Sequence, residues 1–157
     1  MDKNEPSITH LLNQIPQLLK DGKFFEAERK LRYLISIEPK SPEAWFYLGT
    51  LLISTKRPKE AEEALVRASE LGPHLQGIWT NLGVVYSMLG QDRKAADVYE
   101  RALKMQPNDA ASWFALSGVM RRLGEIDKAR EYLERAKKLN PLLIETYERI
   151  RRDLTSD

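Results

Sequence analysis

The stretch WTNLGVVYSMLG, from Trp79 to Gly90, contains a residue spacing that occurs twice more in the chain. The related segments are WFYLGTLL, which begins at Trp45, and WFALSGVM, which begins at Trp113. Consecutive tryptophans are therefore 34 residues apart. A fixed period of this length indicates a repeat protein in which each unit is one supersecondary element.

Numbering the repeats from Pro42, Gln76 and Ala110 places tryptophan at position 4 of each repeat. Leucine recurs at position 7, glycine or serine at 8, alanine at 20 and 27, and proline at 32. At 3.6 residues per turn, positions 4, 7, 8 and 11 form one stripe of a first helix, and positions 20, 24 and 27 form a stripe of a second helix. The pattern predicts a helical hairpin in which small residues let two backbones approach and the tryptophans are packing residues.

Composition limits the classes of protein that the chain can belong to. It has 157 residues, with 25 basic and 23 acidic residues and no cysteine. This charge balance does not favour binding to nucleic acid or to a membrane surface. We find no secretory leader and no membrane span, and we expect a cytoplasmic protein without disulfides.

Catalytic and metal-binding motifs are absent from the sequence. The two histidines, His10 and His74, are distant in sequence, and Gly72 and Pro73 separate His74 from the nearby Glu70. There is no nucleophile beside a base, no GxGxxG motif and no P-loop. We therefore predict that the protein is not an enzyme and needs no cofactor or metal.

The pattern resembles the tetratricopeptide repeat family, which has the same period and the same tryptophan, leucine-glycine, alanine and proline positions. The resemblance implies an all-α, right-handed superhelical array of helix-turn-helix repeats. It also implies a protein-binding adaptor or scaffold whose partner is a protein or peptide. Three full repeats are predicted at residues 42–75, 76–109 and 110–141.

The two ends depart from the pattern. Residues 8–41 form an atypical first repeat in which we expect Pro16 to kink or break the first helix. Residues 1–7 are predicted to be a flexible N-terminus, and residues 142–157 a capping helix and tail. Because Arg151 replaces the small residue at position 8, we expect no further stacking and a monomeric protein.

In this family, partner peptides usually bind a concave groove formed by the first helices. The matching face holds positions 2, 5, 6, 9, 12 and 13, and it is apolar and aromatic at its centre and basic toward the cap. An apolar or amphipathic segment with acidic residues at one end would suit it. The predicted groove residues are Phe46, Tyr47, Thr50, Ile53, Asn81, Val84, Met88, Phe114, Arg121, Arg122 and Arg149.

Several alternatives remain open at this point. The groove aromatics could instead pack between neighbouring first helices. The chain could be a self-assembling structural module, or a secretion-type chaperone of similar size. Family members that hold the carboxyl terminus of heat-shock chaperones use lysine, asparagine and arginine in this groove, and of those positions only Asn81 matches here. The sequence therefore argues against that ligand.

Overall fold

The described part of the chain is helical throughout. The computed structural model describes the backbone of residues 7–154 and the side chains of residues 7–143 and 145–148. That backbone contains nine α-helices and no strand, which confirms the predicted all-α class. The helices are α1 Ile8–Lys20, α2 Phe24–Ile37, α3 Pro42–Ser54, α4 Pro58–Leu71, α5 Ile78–Met88, α6 Asp92–Met105, α7 Ala110–Arg122, α8 Ile126–Leu139 and α9 Pro141–Leu154.

Polar caps and prolines set the helix ends. The Ser41 hydroxyl accepts a hydrogen bond from the Ala44 amide at 3.2 Å at the start of α3, and a cap of this kind contributes about 1 kcal/mol. Each second helix ends two residues before a repeat proline. The residue between has φ from −134° to −151°, because a following proline disfavours the helical region. These prolines are Pro39, Pro73, Pro107 and Pro141.

The turn inside each hairpin needs one residue with positive φ, at position 15 of the repeat. Gly22 and Gly90 have φ of 70° there, and Gly124 has φ of 83°. In the second repeat the same position is Lys56, with φ of 58°. A residue with a Cβ is strained in this region, so the backbone geometry of the turn overrides the local preference of lysine.

Contacts between Cα atoms divide the chain into two compact units, Met1–Val85 and Tyr86–Asp157. In the first unit α3 packs on both α2 and α4, and α1 packs on α2 and α3. In the second unit α7 packs on α6 and α8, and α8 packs on α9. Successive helices in each unit therefore share a continuous core.

Close helix packing at position 8 is visible at Gly49. A Cβ added there would lie 2.5 Å from the Cγ atom of Leu65, which is fully buried on α4. The alanines at positions 20 and 27 are also buried in the full repeats, as predicted. These small residues let α3 and α4 approach closely.

Burial also extends to two positions that the predicted stripe leaves out. Position 3 is buried in all three full repeats, as Ala44, Ile78 and Ser112. Position 10 is buried as Leu51 and Val85 in the first unit and as Val119 in the second. The first helix of each repeat therefore packs a wider face than the tryptophan spacing suggests, because it has neighbours on two sides.

The tryptophans pack against their own repeat junctions. Trp45 is half-buried and Trp79 is 9% exposed, and both indole Nε1 atoms donate a hydrogen bond to a repeat proline carbonyl six residues earlier. The distance to the carbonyl is 2.9 Å for Trp45 and 3.0 Å for Trp79. In the second unit Trp113 makes the same bond at 2.8 Å. In each of these repeats this hydrogen bond connects the first helix to the loop that precedes it.

The atypical first repeat needs one correction. Helix α1 is continuous from Ile8 to Lys20 with Pro16 inside it, so of the two expected outcomes the break is wrong, and the kink stays a prediction. The flanking Leu11 and Ile15 are buried, and their packing compensates for the hydrogen bond that proline removes. The predicted flexible N-terminus falls largely on residues 1–6, which lie outside the described residues, as does the side chain of Arg151.

Candidate protein-binding faces

In the first unit, six of the predicted groove residues lie on α3 and α5, and we call them the unit 1 face. All six are half-buried, so they are neither part of the closed core nor freely solvated. This outcome lies between the two alternatives that the sequence left open. The residues are Phe46, Tyr47, Thr50, Ile53, Asn81 and Val84.

The aromatic part of this face is anchored at one edge. The Phe46 ring reaches the start of α5, where a Cβ added to Gly77 would lie 3.3 Å from its Cζ atom. Its centroid is 5.6 Å from that of the Tyr47 ring, with the two planes inclined at 53°. This is a favourable tilted arrangement, and it holds two half-exposed rings side by side.

A polar link joins α3 to α5 beside these rings. The Asn81 amide donates from Nδ2 to the Thr50 hydroxyl oxygen at 2.9 Å. The Thr50 hydroxyl in turn donates to the Phe46 carbonyl at 3.0 Å. Thr50 is therefore already engaged within the unit, and it positions the face more than it offers hydrogen bonds to a ligand. The apolar side chains of Phe46, Ile53 and Val84 make up most of the rest of this face.

The second unit contains the remaining predicted residues. Met88 is 43% exposed, Arg121 is exposed, and Phe114 is half-buried. The Phe114 ring meets the Tyr147 ring of α9 edge-on, with centroids 4.7 Å apart. One side of Phe114 is thus covered by the C-terminal helix. The side chain of Arg149, which was also predicted here, lies outside the described residues.

Arg122 is not available in the way that the sequence suggested. Its guanidinium makes hydrogen bonds of 2.7 to 3.1 Å to both carboxylate oxygens of Asp92 on α6, and one of 3.4 Å to the Ser87 hydroxyl. The hydrogen bonds to Asp92 raise the pKa of Arg122 despite its partial desolvation. Arg121 forms no ion pair with any described residue, so it is the better candidate for an acidic partner.

A buried tyrosine lies next to this ion pair. Burial raises the pKa of Tyr99 to about 12, against the opposing effects of a hydrogen bond with Ser87 and of the Arg122 charge. Tyr99 is 2% exposed, and it fills position 24, where the second repeat has Leu65. We therefore assign Tyr99 to the core of the second unit and not to a reactive site.

Two absences can be stated for the described residues. Among the residues that the structure describes, no three His, Asp or Glu side chains come together in a way that could hold a metal ion. None of the described helices is long and apolar enough to cross a membrane. What the first helices offer is partly exposed aromatic and aliphatic surface, together with Arg121, which has no ion pair among the described residues.

Comparison with known proteins agrees with the repeat assignment. Two family models, each described as tetratricopeptide repeat, match residues 81–143 and residues 18–75. No curated protein sequence matches the chain significantly.

Solved structures with a similar fold are helical proteins described as MamA. "Crystal structure of MamA" is 22% identical with a TM-score of 0.79, and the match covers 88% of this chain and 81% of the other. "MamA MSR-1 C2" is 21% identical with a TM-score of 0.74, covering 90% of this chain and 81% of the other. "MamA RS-1 ArsTM double mutant" is 22% identical with a TM-score of 0.77, covering 85% and 75%. At such identities the likeness concerns the fold alone.

Proposed function

Because the chain belongs to the tetratricopeptide repeat family, a class that typically forms non-catalytic protein-interaction scaffolds, we propose that it is an adaptor that binds an apolar or amphipathic segment of a partner protein. The binding surface in this proposal is the face of the first helices. In the first unit, the unit 1 face supplies aromatic anchors for such a segment. The second unit is considered by itself, and there Phe114 and Arg121 offer an aromatic side chain and a positive charge.

The observation that carries the proposal is the half-exposed state of the unit 1 face. Phe46, Tyr47, Ile53 and Val84 keep part of their apolar surface in water after the core has formed. Contiguous exposed apolar surface is a common mark of an interaction site. Phe46 is already held by its contact with the start of α5. Little conformational entropy is therefore lost when a partner binds to it.

The expected affinity is moderate. Full burial of a large apolar side chain stabilises by about 1.5 to 3 kcal/mol, and these residues have only part of that surface left to bury. Loss of freedom on association costs at least about 4 kcal/mol. We therefore expect a dissociation constant between the micromolar and millimolar ranges, equivalent to about −8 to −4 kcal/mol.

A capture experiment tests this proposal. Immobilised wild-type chain should retain a partner from a lysate of the source cells, and a variant with both Phe46→Ser and Phe114→Ser should lose that partner. Ile126→Ser is a matched control, because Ile126 is 46% exposed on the second helix α8, away from the proposed faces. Circular dichroism should show that all three proteins are folded.

Two results would contradict the proposal. If the folded double variant still retains the partner, then the first-helix faces are not the binding surface. If the double variant unfolds, then Phe46 and Phe114 belong to the core, and the packing alternative is correct.

We also propose that the free chain is a cytoplasmic monomer that does not bind nucleic acid. The mixed surface charge supports the last point, since acids and bases pair along the helices, as in Arg67 with Glu70 and Lys137 with Glu134. Light scattering at increasing concentration tests the monomeric state. A concentration-dependent rise in mass would favour the self-assembling alternative instead.

A further inference from the structure

Helix α2 carries an exposed aromatic surface that the other second helices of the chain lack. Phe25 is 85% exposed and Tyr33 is 40% exposed. Arg29, which lies between them on the same side of the helix, is also exposed. None of these residues belongs to the first-helix faces described above, so this surface is independent of the proposed function.

The internal repeat provides the comparison that makes this surface unusual. Phe25, Arg29 and Tyr33 occupy positions 18, 22 and 26 of the first repeat. In the other three repeats, positions 18 and 26 are charged and position 22 is acidic, and all nine side chains are exposed. The corresponding triplets are Lys59, Glu63 and Arg67 on α4, Arg93, Asp97 and Arg101 on α6, and Asp127, Glu131 and Arg135 on α8.

The fold itself therefore does not require aromatic residues at these positions. The same structural position is solvated by charged residues three times, and only in the first repeat is it aromatic at both ends and basic at its centre. Because exposing large aromatic side chains to water is unfavourable, a function other than folding is the simplest physical reason to place them there.

The geometry of the surface favours a helix as its partner. Phe25, Arg29, Tyr33 and Ile37 are spaced by four residues, which is the ridge that helices use when they cross at about −50°. Ile37 is 46% exposed and continues the apolar surface toward the helix end. We call these four residues the α2 ridge. A partner helix can lay an equivalent ridge beside it over about three turns.

The positive charge of Arg29 determines which kind of partner helix can cover the α2 ridge. Arg29 forms no ion pair with any described residue. The nearest carboxylates along α2 are already engaged, Glu26 with Lys30 at 3.8 Å and Glu28 with Arg32 at 2.7 Å. A partner that covers Phe25 and Tyr33 must therefore bring its own carboxylate to Arg29, because an unpaired charge is costly to bury.

The exposed area argues against a second copy of the chain as the main occupant. With aromatic side chains of roughly 150 to 250 Å², the exposed parts of the α2 ridge amount to about 300 Å² of apolar surface. Stable protein interfaces bury about 800 Å² on each partner. A symmetric pairing of two α2 ridges is therefore too small for a stable dimer, whereas an area of this size is compatible with a weak, transient contact with a peptide helix.

We propose that the α2 ridge is a second docking site, which binds an amphipathic helix of another protein through apolar residues on either side of an aspartate or glutamate. The apolar residues cover Phe25 and Tyr33, and the carboxylate pairs with Arg29. With this site the adaptor holds one partner on its first-helix faces and another on α2.

The probe for this proposal is a pair of synthetic, fluorescently labelled helical peptides. The acidic peptide has leucine at i and i+8 and glutamate at i+4, and the basic peptide differs only by lysine in place of that glutamate. Fluorescence anisotropy with the full chain should give saturable binding of the acidic peptide, at a dissociation constant below about 1 mM, and weaker binding of the basic peptide.

Two variants of the full chain test the contacts. F25K/Y33R replaces the aromatics with the residues that the chain itself has at positions 59 and 67, so it should fold normally and weaken binding at least about tenfold. Arg29→Glu should reverse the preference, so that the basic peptide binds better than the acidic one. That reversal is not expected from a residue with a purely structural role.

Controls separate this site from the first-helix faces. Phe46→Ser should bind the acidic peptide as the wild type does, so a loss of binding in Phe46→Ser but not in F25K/Y33R would move the peptide to the unit 1 face and overturn the proposal. The proposal is also wrong if the acidic peptide shows no binding at about 1 mM. Equal binding by F25K/Y33R would overturn it as well.

Two further experiments with the wild type and F25K/Y33R test for other ligands of the α2 ridge. Sedimentation of the chain with vesicles of phosphatidylcholine and phosphatidylserine, lost in F25K/Y33R, would show a membrane surface as the ligand. Sedimentation equilibrium that shows a dimer for the wild type and a monomer for F25K/Y33R would show a second copy. Either result would contradict the proposed protein helix.

Discussion

The contact between Gly49 and Leu65 allows the helix packing to be tested by a single methyl group. In Gly49→Ala the new Cβ would lie 2.5 Å from Leu65 Cγ and 2.7 Å from its Cδ2 atom. Leu65 is fully buried, so it cannot swing aside, and the overpacking should cost about 1 to 3 kcal/mol. Alanine gains about 0.5 to 1 kcal/mol over glycine in a helix. The net loss of stability should therefore be about 0 to 2.5 kcal/mol.

Gly118→Ala is the matched control for this prediction. Gly118 lies inside helix α7, one position further along the repeat, and its added Cβ would meet only the Arg122 Nη1 atom, at 3.9 Å. This variant should keep the helix gain of about 0.5 to 1 kcal/mol without overpacking. Urea unfolding followed by circular dichroism should thus move the two midpoints in opposite directions. If both variants are stabilised alike, then α3 and α4 are not in close contact at Gly49.

Three further substitutions test the turn, the repeat junction and a charge cluster. Lys56→Gly should raise the stability by about 0.5 to 1 kcal/mol in urea unfolding, because glycine accepts positive φ without strain; a decrease would contradict the turn geometry. Trp79→Phe should lower the thermal midpoint by an amount equivalent to about 1 to 3 kcal/mol, since it leaves the Pro73 carbonyl without its indole donor; an unchanged midpoint would contradict that role. For Glu28, burial raises the pKa, but the hydrogen bonds from Arg57 and Arg32 outweigh burial and hold the pKa below its usual value. Glu28→Gln should therefore destabilise the chain at neutral pH, and its difference from the wild type should vanish as the pH falls through the lowered pKa; a difference that does not depend on pH would refute this.

The sequence predicted the core of the full repeats correctly where one residue type recurs at one position. Gly49, Leu65 and Ala61 are buried as the register requires. Such positions are predictable because each repeat places the same position in the same environment.

Other features could not be obtained from periodicity. The pairing of Arg122 with Asp92 joins residues 30 positions apart, and it depends on side-chain conformations that a helical wheel does not contain. The bond from the Trp79 indole to the Pro73 carbonyl needs the path of the loop. The burial of position 10 could have been found from the sequence, since Leu51, Val85 and Val119 are all aliphatic there.

The face of the first helices also has features that the sequence predicts and features that only the structure gives. Angular spacing of 100° per residue predicts that Phe46, Thr50 and Ile53 share one side of α3. The extent of their exposure depends on how closely α5 approaches, which is set by the Asn81 to Thr50 hydrogen bond and by the Phe46 contact at Gly77. These contacts leave the residues half-buried, so the sequence could identify the candidate residues but not how much of each a partner can reach.

A repeat protein allows an argument about surface residues that a single domain does not. In a single domain an exposed phenylalanine such as Phe25 is unremarkable, because many surfaces contain isolated apolar residues. Here three further copies of the same structural position show which residues the fold accepts there, and at position 18 they are lysine, arginine and aspartate. Tyr33 departs from its own position in the same way, since the other repeats all have arginine there. Two such departures on one ridge of one helix are harder to explain by chance than either alone, and Arg29 between them has no ion pair in the part of the chain that the structure describes. Replacing both aromatics with the residues of the second repeat therefore removes what is particular to α2 and retains what the fold needs, so a loss of peptide binding in that variant would measure function separately from stability.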